Sequence, residues 1–140
     1  MKDRQKIKIV TTQYSDDDKE TIIVNTDAAI SGNKDDYTIA YTETQGDTAG
    51  EETVIRVRNS KKLSISRKNA LVSSLIILEK NVRHVTHYSN SGLNFNMGMS
   101  CSEMISDFEG GRLYFRYETD MDMVSIGEIE FEFNFRKTEV

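Results

Sequence analysis

The sequence predicts an all-β fold, a single antiparallel β-barrel of about ten strands, on the basis of three observations. Apolar residues recur at every second position along nearly the whole chain, as in strands with one buried face. Clusters of Asn, Asp, Ser and Gly separate these runs at short, regular spacing, which is typical of consecutive hairpins. Proline, which removes a donor from a sheet, is absent. Closing such a meander into a barrel removes exposed edges, so we expect closure.

The first half of the chain contains five predicted strands. These runs alternate or are rich in β-branched residues, and they span 6–13, 19–31, 37–43, 53–58 and 62–67. In the third run, Tyr37, Ile39 and Tyr41 share one face with Glu43. Because side chains alternate between the two faces of a strand, we expect this face to point into the barrel.

The second half contains five more predicted strands, and these span 71–80, 82–88, 93–99, 112–120 and 128–137. The run 71–80 is apolar at successive positions, which predicts a strand covered on both faces. The last run reads EIEFEFNFRK and places Phe131, Phe133 and Phe135 on one face. We expect these three rings to be enclosed.

The segment 101–108 is ambiguous. Cys101, Met104, Ile105 and Phe108 lie at helical spacing, which one or two helical turns would satisfy. We expect an irregular strand there instead.

Composition predicts one cytoplasmic domain over residues 1–140. The chain is 37% apolar and 29% charged, which is usual for a folded soluble domain. Its single cysteine excludes an intrachain disulfide. The run 75–78 is far too short to cross a bilayer, and the basic N-terminus leads into no apolar signal segment. We therefore expect neither export nor a membrane partner.

Several short motifs resemble the YwiB-like family of small bacterial proteins. They are YTIAYTE at 37–43, TVIRV at 53–57, LSISR at 63–67, HY at 87–88, GLNF at 92–95 and GGRLYFRYE at 110–118. The resemblance implies a domain of unknown function, a calycin-like (lipocalin-like) β-barrel and a bacterial cytoplasmic setting. It brings no catalytic residues. The chain has no tryptophan, so the Gly-x-Trp signature of the true lipocalins is absent.

The barrel interior is the first candidate for function. Small barrels are either filled by side chains or hold one small ligand, and the sequence leaves both alternatives open. We hypothesise that Arg67 pairs with Glu43 or Glu79 at the mouth and orients the polar end of an amphipathic ligand. The alternative is that these charges, at strand ends, simply reach water. The candidate ligand-binding residues are Tyr41, Glu43, Arg67, Glu79, Tyr88, Tyr117 and Phe133.

The basic middle of the chain is the second candidate. The net charge is −5, yet residues 53–90 carry eight basic side chains and one acidic one. Neighbouring strands would gather these charges into an outer face that binds a protein or a polyanion, although an ordinary solvated face is the alternative. An acidic chain without RNA-binding motifs makes nucleic acid an unexpected partner. The proposed basic face consists of Arg56, Arg58, Lys62 and Arg83.

Catalytic and metal motifs are missing from the sequence. His84 and His87 would point to opposite faces of one strand, and Cys101 is expected to be a buried structural thiol. We therefore predict no catalytic residue, metal or cofactor. The leading hypothesis is a non-catalytic module that binds a small amphipathic ligand, and the alternative is an interaction module that uses the basic face. The sequence leaves the oligomeric state open.

Overall fold

Ten strands form one antiparallel sheet in the computed structural model, which describes residues 3–43, 49–68, 73–90 and 93–135. The strands are β1 (Asp3–Ser15), β2 (Asp18–Asn33), β3 (Asp36–Thr42), β4 (Glu52–Arg58), β5 (Lys62–Lys68), β6 (Ser73–Glu79), β7 (Arg83–Asn90), β8 (Leu93–Asp107), β9 (Arg112–Met121) and β10 (Val124–Phe135). The described ranges contain no helix, so the all-β prediction is confirmed. It follows that no helix in them is long and apolar enough to cross a bilayer.

The sheet curls into a nearly closed barrel. Its strand order is β6-β5-β4-β3-β2-β1-β10-β9-β8-β7, so neighbours in sequence are neighbours in the sheet and β1 joins β10. The two ends of this order meet where β6 passes into β7. There Lys80 forms a bridge with Cys101 of β8, and the Asn81 backbone N–H donates to the Cys101 carbonyl at 2.7 Å. The predicted barrel is therefore confirmed.

Alternating apolar residues fill the barrel because cross-strand partners share a face. Ile7 lies opposite Phe135 and Ile9 opposite Phe133, so apolar side chains meet on the inner side of β1 and β10. Tyr37 joins distant strands by donating to or accepting from Ser106 at 2.7 Å. The largest fully buried side chains are Tyr37, Ile39, Thr53, Ile55, Val57, Leu63, Leu78, Cys101, Leu113, Phe115 and Phe133.

The three phenylalanines of β10 are buried as predicted. Phe131 and Phe133 stack with Phe115, at ring-centroid distances of 5.2 and 6.1 Å. Phe135 lies 6.3 Å from the Tyr37 ring. Buried aromatic rings stabilise a core through their large area and their mutual packing. The repeated Phe positions are thus accounted for by the core itself.

The ambiguous segment 101–108 is a strand with a bulge. β8 continues to Asp107, and its register with β9 shifts between Cys101 and Glu103. The extra residue at the bulge lets Cys101 and Met104 both point inward, although they are three positions apart. The helical spacing in the sequence therefore has its origin in the bulge, and the prediction of an irregular strand is confirmed.

β6 is not covered on both faces, and that prediction is wrong. Leu78 lies opposite Leu63 and is fully buried, whereas Leu75 points outward and is 53% exposed. Ile77 shares the outer face with Leu75 and is half-buried. β6 therefore carries an apolar outer strip, which consists of Leu75 and Ile77 and lines a groove on the outer face.

The outer face of β1, β9 and β10 carries a polar cluster around Glu130. This carboxylate accepts hydrogen bonds from the hydroxyls of Tyr14 and Tyr114, the second at 2.6 Å. Arg116 contacts Glu128 and lies 4.9 Å from the Tyr14 ring centroid. The bonds from Tyr114 and Tyr14 hold the pKa of Glu130 below its ordinary value of 4.5.

Glu130→Gln is expected to lower the free energy of unfolding at pH 7 by about 1 kcal/mol, because a half-exposed carboxylate with two donors is replaced by a neutral amide. Since the folded pKa is depressed, this stabilisation is complete above the unfolded value and is lost as pH falls through the folded pKa. Urea unfolding of both proteins between pH 7 and pH 3 measures it. The difference in the free energy of unfolding between the two proteins should narrow below about pH 4.5. A difference that stays constant or widens with acid would contradict this role of Glu130.

Candidate binding site at the barrel mouth

One row of inward-facing side chains crosses β3, β4 and β5 near the ends of these strands. Tyr41 lies opposite Thr53, and Thr53 lies opposite Arg67. Tyr41 and Thr53 are buried, while Arg67 is partly buried. We call this end of the barrel its mouth: β3 ends here at Thr42, β4 begins at Glu52 and β5 ends at Lys68.

Burial and three polar neighbours determine the protonation state of Tyr41. Burial and, after it, the nearby Glu43 carboxylate raise the pKa of Tyr41 well above the ordinary range, although the Arg67 charge opposes this. Thr53 donates to Glu43 Oε2 at 3.0 Å. Tyr41 is therefore a neutral phenol at physiological pH, held in a small hydrogen-bonded group with Thr53 and Glu43.

Arg67 reaches between the two walls of the barrel. Its charge acts on Tyr41 of β3 and on Tyr117 of β9, whose pKa is raised by burial and lowered in part by Arg67. The Arg67 Nε is buried and has no hydrogen-bond partner among the described residues. A buried donor without an acceptor carries a desolvation penalty, so this N–H is the feature of the mouth that the packing leaves unexplained.

The same row contains a second orphaned polar atom. Gln5 of β1 lies opposite Ala28, which lies opposite Tyr41, so all three face the interior. The Gln5 Oε1 is buried and has no partner in the described ranges. The row thus presents one free donor and one free acceptor, with the small Ala28 between Gln5 and Tyr41.

The interior below the mouth is packed with aromatic rings. Tyr41 lies 6.2 Å from Phe133, and Tyr117 lies 6.4 Å from Phe131 in a nearly parallel stack. Phe133 itself is fully buried. Side chains therefore fill the interior next to the polar row, and aromatic rings border the row on this side.

An apolar surface continues beyond the mouth along the longer strands. β2 extends well past the end of its pairing with β3, and its inner side chain Ile22 is 45% exposed. Val24, Met97 and Ile129 are partly buried and pack against the core. This part of the inner wall, which is level with Phe131 and Phe133 in the strand register, is therefore apolar and at Ile22 partly open to solvent.

The structure brings five of the seven predicted ligand-binding residues together. At the mouth or next to it lie Tyr41, Glu43, Arg67, Tyr117 and Phe133. Within the described chain, Arg67 forms no ion pair with Glu43.

The predicted pairing of Arg67 with Glu79 is wrong. Glu79 lies opposite Lys62 on the outer face, at the other end of the hairpin from Arg67, and contacts His84 at 3.3 Å. Tyr88 belongs to β7, but its side chain lies outside what the structure describes. Thr53 and Gln5 were missed, although the alternation of TVIRV and QKIKI predicts both as inward-facing.

The predicted basic face divides into two places. Arg56, Arg58 and Lys62 line one groove on the outer side of β4, β5 and β6. Arg83 is elsewhere and donates from Nε and Nη2 to Asp120, at 2.9 and 2.7 Å. Its side chain passes over Gly98, where a Cβ would collide with both partners. The assignment of Arg83 to the basic face is therefore wrong, because a β9 carboxylate neutralises it.

Metal ligands are not gathered here. The described ranges contain no group of three or more His, Cys, Asp or Glu side chains placed to hold an ion. Cys101 is buried, and burial raises the pKa of its thiol, so it is protonated at neutral pH.

These features define the chain as a small, nearly closed antiparallel barrel with a polar row across its mouth. It belongs to the family described as "Domain of unknown function (DUF1934)", which matches residues 7–133. The fold is similar to the crystal structure of the ywiB protein from Bacillus subtilis, with a TM-score of 0.67 and 15% identity over 96% of this chain and 94% of that one. No curated protein matches. The resemblance to YwiB-like proteins is confirmed, while the calycin-like kinship stays a prediction.

Proposed function

We propose that this protein is a non-catalytic binding module that holds a small amphipathic molecule with an anionic end at the barrel mouth. The observation that carries the proposal is the buried, unpartnered Nε of Arg67. An arginine fork offers directed donors to a carboxylate or phosphate, and such charge-assisted bonds are short and strong. An anionic oxygen at this point would satisfy the donor and complement the guanidinium charge.

The neighbouring hydroxyls support an acceptor-rich ligand end. Tyr41 and Tyr117 are neutral phenols, and burial moves their pKa values further above neutrality, so neither competes with an anionic ligand for Arg67. Gln5 adds an unused acceptor in the same row, which suits a ligand that also carries a donor. Glu43 accepts a hydrogen bond from Thr53 and lies at the edge of the row.

The apolar part of the ligand has a surface at the same end. Phe131 and Phe133 are buried and pack against each other, so a ligand would lie beside these rings and not between them. The partly exposed inner wall, which includes Ile22 and Ile129, adjoins the rings on the same strands and their neighbours. Burying apolar area there yields roughly 25 cal/mol per Å², so a short alkyl chain on this wall adds useful affinity.

Absence of catalysis and a cytoplasmic location are parts of the same proposal. The sole cysteine is a buried, protonated thiol, which is inert as a nucleophile and compatible with a reducing compartment.

Arg67→Gln is expected to weaken the binding of dodecanoate about tenfold or more, because it removes the cation that the carboxylate meets. Isothermal titration of wild type and variant measures the affinity, and dodecanol serves as the uncharged probe. Lys68→Gln is the matched control, because it removes the same charge one residue along β5, where the side chain is exposed on the other face. Dodecanol should bind weakly to all three proteins.

Two results would contradict the proposal. One is equal dodecanoate affinity in the Arg67→Gln and Lys68→Gln proteins. The other is a wild-type protein that binds neither probe. Thermal unfolding of each variant verifies that the barrel is intact, so that a loss of binding is not a loss of fold.

A further inference from the structure

The outer groove of β4, β5 and β6 has the composition of a docking surface. It encloses about 590 Å³ and is lined on one side by basic residues and on the other by the apolar strip of β6. The lining residues are Arg56, Arg58, Asn59, Lys61, Lys62, Leu63, Ser64, Leu75, Ile77 and Glu79.

The cations of this groove are largely free of internal partners. Arg56 lies 3.8 Å from Asp36, but Arg58, Lys61 and Lys62 form no ion pair with a described acid. Glu79, the only acid among the described lining residues, contacts His84 at 3.3 Å. Two acids share this outer face, Asp36 opposite Arg58 and Glu79 opposite Lys62, so the four cations leave a net positive charge there although the whole chain is acidic.

The apolar strip runs beside these cations. Leu75 is more than half exposed, and Ile77 is partly buried next to it on the same face of β6. Single exposed apolar residues need no explanation, but a strip that lies in a groove and is rimmed by charge is the pattern of an interaction site. It calls for an occupant with apolar side chains as well as negative charge.

We propose that this groove binds an extended acidic segment of a partner protein, in which aliphatic side chains alternate with Asp or Glu. An extended chain places alternate side chains on opposite sides, so carboxylates reach Arg58 and Lys62 while aliphatic groups lie on Leu75. Nucleic acid fits less well, because the lining residues that the structure describes include no aromatic ring on which a base would stack. The overall negative charge of the protein also disfavours a long polyanion and favours a short acidic segment.

A fluorescent peptide that alternates Glu and Leu is the probe, and fluorescence anisotropy at low salt measures its affinity. Lys62→Glu is expected to weaken binding about tenfold or more, and Leu75→Ser, which changes an exposed side chain, by a smaller factor. Added salt should weaken binding further. The matched peptide with Gln in place of Glu should bind poorly. Lys19→Glu, on the exposed β2 strand, is the control for charge reversal alone.

The groove and the mouth are tested apart. Arg67 faces the interior. Arg67→Gln should therefore leave the affinity for the peptide unchanged even where dodecanoate binding is lost. Equal peptide affinity in wild type, Lys62→Glu and Leu75→Ser would overturn the inference. So would a single-stranded RNA that binds this face more tightly than the peptide, or a dimer in sedimentation that Leu75→Ser dissociates.

Discussion

Phe133→Ala is expected to lower the free energy of unfolding by about 3–5 kcal/mol. Phe133 is fully buried, and its ring packs with Phe115, Phe131 and Tyr41 at centroid distances of 6.0–6.2 Å. Removing it takes away the transfer free energy of the ring and leaves a cavity among stiff aromatic neighbours that collapse poorly. Urea unfolding, followed by far-ultraviolet circular dichroism, measures the change.

Met123→Ala is the control for this experiment. Met123 is 74% exposed in the turn between β9 and β10, so its truncation should change stability by less than about 0.5 kcal/mol. If Phe133→Ala is too unstable to purify, Phe133→Leu keeps most of the volume and should show a smaller loss. Equal stability of the Phe133→Ala and Met123→Ala proteins would mean that the ring is not enclosed.

Gly111→Ala is expected to lower the free energy of unfolding by about 2–4 kcal/mol. Gly111 has a φ of +75°, a left-handed conformation that an L side chain rarely adopts. A Cβ there would also press into the backbone carbonyl of Phe135. The Phe135 N–H donates to the Gly111 carbonyl at 2.8 Å, so a backbone hydrogen bond joins the turn after β8 to the end of β10.

Gly50→Ala separates the two causes of this effect. Gly50 also has a positive φ, +89°, but a Cβ at that position would meet nothing within 4 Å. Its substitution should therefore cost only the backbone strain, about 1–2 kcal/mol. The excess loss in Gly111→Ala measures the close approach to Phe135, and equal losses in the two variants would show that this approach is unimportant.

The fold was predictable because its strands alternate and its turns are short. The inward face of β10 follows from Phe131, Phe133 and Phe135 alone, since a polar residue separates each from the next. β6 shows the limit of this reasoning. Its run is apolar at successive positions, so periodicity does not determine which face is buried, and the pairing of Leu78 with Leu63 does.

The candidate site was only partly predictable for a related reason. Arg67 was placed correctly because Leu63 and Ile65 fix the inner face of β5. Its partners depend on the register between strands and on contacts across the barrel, which no local pattern encodes. Alternation therefore puts Glu79 on the wrong face, and it contains no sign that Arg67 of β5 lies near Tyr117 of β9. Arg83 was assigned as a free cation because its partner Asp120 is 37 positions away.

The most direct measurement of the mouth site is the Nε–H resonance of Arg67 in a proton–nitrogen correlation spectrum, assigned by its loss in Arg67→Gln. Titration with dodecanoate should shift this resonance and slow its exchange with water, because the carboxylate becomes the missing acceptor of the buried donor. Dodecanol should leave it unchanged. A resonance that does not respond to dodecanoate, while amides on the outer face of β4 to β6 do respond, would place binding elsewhere and contradict the proposed role of Arg67.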